Sequence, residues 1–243
     1  MSNMSDLEQR YETVQRRIEA ACARVGRAPS EVTLIAVSKT RPPETVNALA
    51  KLGARNFGES KAQEARAKIP ECDNRLRWHM IGHLQTNKAR DATRLFTMIH
   101  AVDSIRLAQE LEKHAESHAR EVPILLEVNV SGEANKFGLE PEEATDVALA
   151  INALPHLQLR GLMTMAPFAD ESEKSRPYFR RLAELKRRVE DRLGAPLPDL
   201  SMGMSGDFEV GIEEGATLVR IGTALFGKRQ GGAFRGRLEN PEE

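Results

Sequence analysis

The sequence predicts a closed eight-stranded α/β barrel preceded by one extra helix, on three observations. Short β-rich runs alternate with helical stretches, the pattern of parallel strands joined by right-handed crossovers. Eight such runs can be read, which favours closure over an open sheet. The 243 residues also lie near the ~250 typical of a complete eight-unit barrel. A doubly wound open sheet is the alternative. It usually carries G-x-G-x-x-G after its first strand, whereas SKTRPPE follows the first strand here.

The chain opens on an amphipathic helix. Leu7, Tyr11, Val14, Ile18, Cys22 and Val25 recur at spacings of three and four, which puts them on one face. Gly26 and Pro29 end it. The strand runs are VTLIAVS (32–38), ARNFGE (54–59), RWHMIG (77–82), TMIHAV (97–102), PILLEVNV (123–130), LQLRGLMTM (157–165), DLSMGM (199–204) and TLVRIG (217–222). Helical patterns between them include PETVNALAKLG (43–53), SIRLAQELEKHAESHA (104–119), PEEATDVALAINAL (141–154) and RPYFRRLAELKRRVEDRLG (176–194). No shift in composition marks a second domain. Residues 1–228 are therefore expected to form one barrel with its N-terminal helix, and the charged, Gly-rich 229–243 a polar, disordered tail.

Composition narrows the partners. Lys plus Arg number 35 against 36 for Asp plus Glu, and the net charge of −1 gives no general attraction to nucleic acid or an anionic membrane. Any anion must be gripped locally. Cys22 and Cys72 form no CxxC pair, so neither a disulfide scaffold nor a thiolate metal site is expected, and reduced thiols suit a cytoplasmic protein. The N-terminal MSNMSDLEQRYETVQRRIEA is charged throughout, unlike a secretory signal. The most apolar run, VPILLEVNV (122–130), carries Glu127 and is too short to span a bilayer.

Barrel enzymes place their sites at the C-terminal ends of the strands. Lys39 directly follows the apolar run LIAVS. A lysine there can point towards the barrel mouth, where partial desolvation lowers its pKa and frees the amine to attack an aldehyde; a solvated loop lysine is the plainer alternative. The loops MGMSGD (202–207) and VRIGTALFG (219–227) follow the last two strands, the usual phosphate site of such a barrel. Ser205 offers a hydroxyl, and Gly206, Gly222 and Thr223 offer backbone N–H groups with little steric cover. Each loop opens a short helix, whose N-terminus favours an anion. Tight strand-to-helix turns would account for the glycines alone. Strand one neighbours strand eight once a barrel closes, so a reactive lysine would sit beside a phosphate cradle. That pair suits a phosphorylated aldehyde such as pyridoxal phosphate, and a sugar-phosphate aldolase would use a similar one.

AVSKTRPPE (36–44), NFGES (56–60), WHMIGHLQTNK (78–88), LEVNVSGEANKFGL (126–139), LRGLMTM (159–165), LSMGMSGDFEVGIEEGATLVRIG (200–222) and TALFG (223–227) together resemble the pyridoxal phosphate homeostasis proteins. The resemblance implies the (β/α)8 TIM barrel of fold-type III pyridoxal enzymes, similar to the N-terminal domain of alanine racemase. It implies that Lys39 holds pyridoxal 5′-phosphate as a reversible Schiff base, and that Ser205, Gly206, Gly222 and Thr223 hold the phosphate. It further implies that Asn56 lines the site, that Arg220 faces the pyridine nitrogen, and that the protein is a monomer. Two departures stand out: Ser60-Lys61 where the family often has Asn-Tyr, and His83 where some members have proline.

The function so implied is cofactor homeostasis without robust catalysis, with pyridoxal-dependent apoenzymes as possible recipients. The competing reading is an amino-acid racemase with a degenerate or unrecognised second base; a metal-dependent hydrolase is a third. Racemisation needs a proton carrier on each face of the Cα. The two tyrosines, Tyr11 and Tyr178, fall in predicted helices and not at strand ends, which leaves the second carrier without an obvious candidate. His79 and His83 have ligand spacing, but Gly82 interrupts them and no HExxH is present. His79 reads better as a satisfied core or site-lining histidine. Asp207 is expected to cap the helix that follows it, and Met163 to pack in the barrel core or against the pyridine ring.

Overall fold

The computed structural model describes residues 4–133 and 135–228. Its strands are β1 (Thr33–Val37), β2 (Asn56–Glu59), β3 (Arg77–Met80), β4 (Met98–Val102), β5 (Val122–Glu127), β6 (Leu157–Met163), β7 (Asp199–Met204) and β8 (Leu218–Ile221). All pair in parallel and in sequence order, and they close into a barrel. Closure is direct: Ile35 lies opposite Asn56 of β2 on one side and Arg220 of β8 on the other.

The alternation of side chains along each strand divides the apolar residues between two cores. Ile35, Ala101, Leu125, Met163 and Leu218 form a small cluster in the barrel, with Met98 packed against it. The larger core lies between sheet and helices and includes Phe57, Trp78, Phe96, Phe179 and Phe208. Met163 is therefore barrel core, fully buried. Gly161 permits the close approach of β6 to β7: a Cβ there would stand 1.7 Å from the carbonyl oxygen of Asp199.

The helices are α1 (Met4–Arg24), α2 (Pro43–Lys51), α3 (Ala62–Lys68), α4 (Ala89–Leu95), α5 (Ile105–Ser117), α6 (Ala144–Asn152), α7 (Arg176–Leu193), α8 (Phe208–Glu213) and α9 (Thr223–Phe226). The sequence pattern does not predict α3 or α4. Their buried positions are Ala62, Ala65 and Lys68 in one and Ala89, Ala92 and Thr93 in the other, so neither shows an apolar stripe. Val25, expected on the buried face of the first helix, lies beyond its end and is 41% exposed. The extra helix α1 packs across α8 and α9, at the closing seam of the barrel. Arg17 lies over the Phe208 ring at 4.5 Å and pairs with Glu209 at 2.7 Å. Just after α1, Arg27 donates to the carbonyls of Ile212 and Ala216, both at 2.9 Å, and so satisfies the C-terminal end of α8. The expected tail, 229–243, lies outside the described residues.

Candidate functional site

Lys39 stands half-buried two residues beyond the end of β1, and the backbone on both sides of it is pinned. Ser38 N donates to Gly58 O at 3.0 Å, and Ser38 Oγ donates to Glu59 Oε1 at 2.7 Å. Lys68, fully buried on α3, donates to Ser38 O at 2.9 Å, to Glu59 Oε1 at 2.7 Å and to Glu64 Oε1 at 2.9 Å. Glu64 Oε1 also accepts from Thr40 N at 2.6 Å. Thr40 carries φ +66°, an uncommon conformation for a residue other than glycine. A buried Glu59–Lys68–Glu64 cluster thus holds the turn that presents Lys39. Burial pushes the Glu59 carboxyl above its ordinary range, against the pull of Lys68.

The loops after β7 and β8 lie next to this turn. A Cβ on Gly222 would meet the Val37 side chain at 3.4 Å, and Arg41 donates to Gly227 O at 2.7 Å. Ser205 Oγ accepts from Gly222 N and Ala224 N, both at 3.2 Å, which locks the two loops together and leaves the hydroxyl proton to be donated elsewhere. Among the described residues, no acceptor faces the backbone N–H of Gly206 or Thr223, and both residues are exposed. The Gly222 N–H, expected to face an anion, is engaged by Ser205 instead. Asp207 also differs from expectation. It occupies the N-cap position of α8, yet its carboxylate accepts from Met204 N at 2.7 Å and from Ser175 Oγ at 2.8 Å, and makes no cap bond.

Inside the barrel, Arg220 is 3% exposed and donates to Ser201 Oγ and, at 2.8 Å, to Thr164 O just past β6. Burial lowers its pKa to about 10, which leaves it a cation at neutral pH. Ser201 Oγ lies 3.0 Å from His100 Nδ1. His100 Nε2 lies 3.0 Å from His79 Nδ1, and His79 Nε2 lies 3.2 Å from Asn56 Oδ1. Asn56 and Arg220 are thus joined through side chains that cross the barrel interior. Burial lowers the pKa of His79 to about 4, and holds that of His100 well below the ordinary value with help from the charges of His79 and Arg220.

His79 is accordingly a satisfied interior histidine. His83 turns elsewhere, stacked on Phe137 at 3.8 Å and 3.1 Å from Asp103. The two departures from the family pattern lie on the β2–α3 and β3–α4 connections. There Gly82 is packed so close that a Cβ would stand 2.6 Å from Ser60 O.

Sequence reasoning singled out Lys39, Asn56, Ser205, Gly206, Arg220, Gly222 and Thr223, and missed Lys68, His100, Ser201 and Glu127. Glu127 ends β5 at 2% exposure, with one carboxyl oxygen unpartnered. Burial and the charge of Asp103 raise its pKa to about 7. The available signal was parity at Glu127 and Ser201, which alternate with outward positions of otherwise apolar strands, whereas β4 shifts register around His100.

Residues 10–230 match the family model described as the alanine racemase N-terminal domain. Pyridoxal phosphate homeostasis proteins are similar over nearly their whole length. The one from Aquifex aeolicus is 43% identical over 91% of this chain and 98% of its own. The one from Pseudomonas aeruginosa is 44% identical over 95% and 99%. Among solved structures, PipY of Synechococcus elongatus with PLP bound superposes with a TM-score of 0.80 at 32% identity, covering 91% of this chain and 100% of that one. Alanine racemase of Clostridium difficile shares the fold, with a TM-score of 0.68 at 18% identity over 90% of this chain and 57% of its own. With that much of its length shared with curated relatives, the chain belongs to the family of pyridoxal phosphate homeostasis proteins.

Proposed function

We propose that this protein binds pyridoxal 5′-phosphate reversibly through Lys39 and serves intracellular homeostasis of that cofactor, without robust catalysis of its own. The observation that carries the reading is that the pinned turn bearing Lys39 lies beside the loops after β7 and β8, with Arg220 buried on β8. Lys39 supplies an amine on a pinned turn. The Ser205 hydroxyl, with the open N–H groups of Gly206 and Thr223, supplies an anion cradle beside it. Arg220 supplies a buried cation. The residues present fit the group: a Cβ at Gly206 would meet nothing within 4 Å, so space remains at the cradle.

Bound pyridoxal phosphate supplies an aldehyde that condenses reversibly with an amine, a phosphate, and a pyridine ring able to accept electrons. Lys39 Nζ is the attachment point. Ser205, Gly206 and Thr223 orient the phosphate, and Gly222 contributes by fixing the Ser205 oxygen. Arg220, a fixed cation, discourages protonation of a nearby pyridine nitrogen and so weakens the ring as an electron sink. Asn56 contributes a side-chain amide.

Tyr11 and Tyr178 lie on α1 and α7, outside the sheet, and not at a strand end. Lys39 is therefore a tether, acting in a cytoplasmic monomer that exchanges its cofactor with pyridoxal-dependent apoenzymes.

The test is to load the protein with pyridoxal phosphate, reduce with borohydride and map the modified residue by mass spectrometry. Modification at Lys39 is expected; modification at another lysine, or none, overturns the assignment. Substantial turnover of alanine or serine, abolished by Lys39→Ala, would replace the carrier by a racemase.

A further inference from the structure

One direction of hydrogen bonding along the side chains that join Arg220 to Asn56 gives every proton an acceptor, and that direction starts from the chemistry of the first member. A guanidinium is donor only, so Ser201 Oγ accepts from Arg220. Among the described residues, the acceptor within reach of the Ser201 hydroxyl proton is His100 Nδ1, at 3.0 Å. With Nδ1 accepting, the proton of a neutral His100 is on Nε2, 3.0 Å from His79 Nδ1. His79 Nδ1 then accepts in turn, and its proton is on Nε2, facing Asn56 Oδ1 at 3.2 Å. Turning the Asn56 amide over would set an N–H against an N–H, so its Oδ1 is held towards His79 and its Nδ2 is turned away.

We infer that Ser201, His100 and His79 are positioning residues: a one-way relay, started by Arg220, that fixes Asn56 as a donor to an oxygen acceptor on the ligand in the barrel mouth. This rests on the cofactor reading given above for the identity of that ligand. The relay also couples two parts of the site that share no direct contact, since breaking it at Ser201 or His100 frees the amide to rotate while leaving Lys39 and the phosphate loops untouched. The links lie on β2, β3, β4, β7 and β8, so strand register fixes their spacing, and no mobile loop is involved.

Two measurements test it. Long-range ¹H–¹⁵N NMR of the ligand-free protein reports histidine tautomers without any cofactor. Both His79 and His100 are expected as neutral Nε2–H forms throughout about pH 6 to 8, the span in which a free imidazole titrates. An Nδ1–H tautomer at either, or titration in that range, overturns the relay. Loading with pyridoxal phosphate then reads its effect. Ser201→Ala and His100→Leu should shift the visible absorption of the bound cofactor and weaken binding by about three- to tenfold, the worth of one net hydrogen bond. Borohydride should still trap Lys39, and His100→Gln, which can accept from Ser201 and donate to His79, should recover most of the loss. An unchanged spectrum and affinity in a folded Ser201→Ala or His100→Leu protein refutes the positioning role. Failure of the wild type to capture pyridoxal phosphate at Lys39 would instead strike the cofactor reading, and the tautomers would still decide the direction of the relay.

Discussion

Lys68 is fully buried, and its ammonium meets Ser38 O, Glu59 Oε1 and Glu64 Oε1 within 2.9 Å. Lys68→Met removes the charge at nearly constant volume. Glu59 is then a buried carboxylate without its cation, and its Oε2 already has no partner. Deleting one member of a buried ion pair ordinarily destabilises by about 3–5 kcal/mol. Here the loss has a ceiling, because Glu59 can take up a proton. For a carboxyl whose unfolded value is ~4.3, that uptake costs about 4 kcal/mol at pH ~7 and about 1 kcal/mol at pH ~5. The sign is fixed by linkage. Removing Lys68 raises the folded value of Glu59 further, so the variant keeps its stability below the unfolded value and loses it as pH rises through the folded one. Urea unfolding of the ligand-free protein should therefore show Lys68→Met about 3–4 kcal/mol less stable at pH ~8 and clearly less impaired at pH ~5. Adding Glu59→Gln should recover much of the deficit at the higher pH. A deficit under about 1 kcal/mol at pH ~8, or one equal at both pH values, would refute the buried-pair account.

Three further outcomes follow from the geometry. Glu127→Gln should stabilise the ligand-free protein by up to roughly 3 kcal/mol at pH ~8. The native carboxyl is displaced from 4.5 to about 7, so its contribution is lost as pH rises between those values. The gain in unfolding free energy should shrink towards pH ~5, and a gain that grows on acidification contradicts the assignment. Arg27→Ala removes the guanidinium from the carbonyls of Ala216 and Ile212, the latter keeping its bond from Gly215 N, and should lower stability by about 1.5–3 kcal/mol in denaturant melts; an unchanged midpoint would show that water replaces the guanidinium without loss. Gly161→Ala puts a Cβ against the Asp199 carbonyl at 1.7 Å, so β6 and β7 must separate. That change should destabilise by more than ~3 kcal/mol or prevent folding, as judged by soluble yield and circular dichroism, and a wild-type melting curve would refute the close approach.

Much of this molecule was legible in its sequence because barrels obey a simple grammar. Each strand announces itself by a β-rich run, and each site by what stands just after it. That is why the sequence alone leads one to expect Lys39, Ser205 and Thr223 at one mouth. The unread parts share a physical cause: polar residues doing buried work. In α3, Lys68 occupies the inward position next to two alanines, and hydropathy scores it as solvent-facing. On β4, β5 and β7, His100, Glu127 and Ser201 lie buried in apolar strands, and only their partners on other strands reveal what they do. A local pattern cannot report a partner as far off in the chain as Ser201 is from His100, 101 positions apart. The engagement of Gly222 by Ser205 was hidden for the same reason.

The two sides of the mouth are built differently, and the difference bears on function. Around Lys39 the backbone is over-determined by a buried charged cluster, and Thr40 is held at φ +66°. At the other side, Gly206 and Thr223 are exposed, and their N–H groups bond to no acceptor among the described residues. In the proposed role, a rigid tether would keep the amine in place whether or not a ligand is present. An exposed cradle would let the phosphate leave without unfolding anything. Controlled chemistry at an amino-acid Cα would demand the opposite, with water excluded and a second proton carrier fixed across the ring. If Lys39 and the Ser205 loops hold the cofactor as proposed, a site firm at its covalent end and open at its anionic end would suit capture and release, which is the behaviour a cofactor reserve needs.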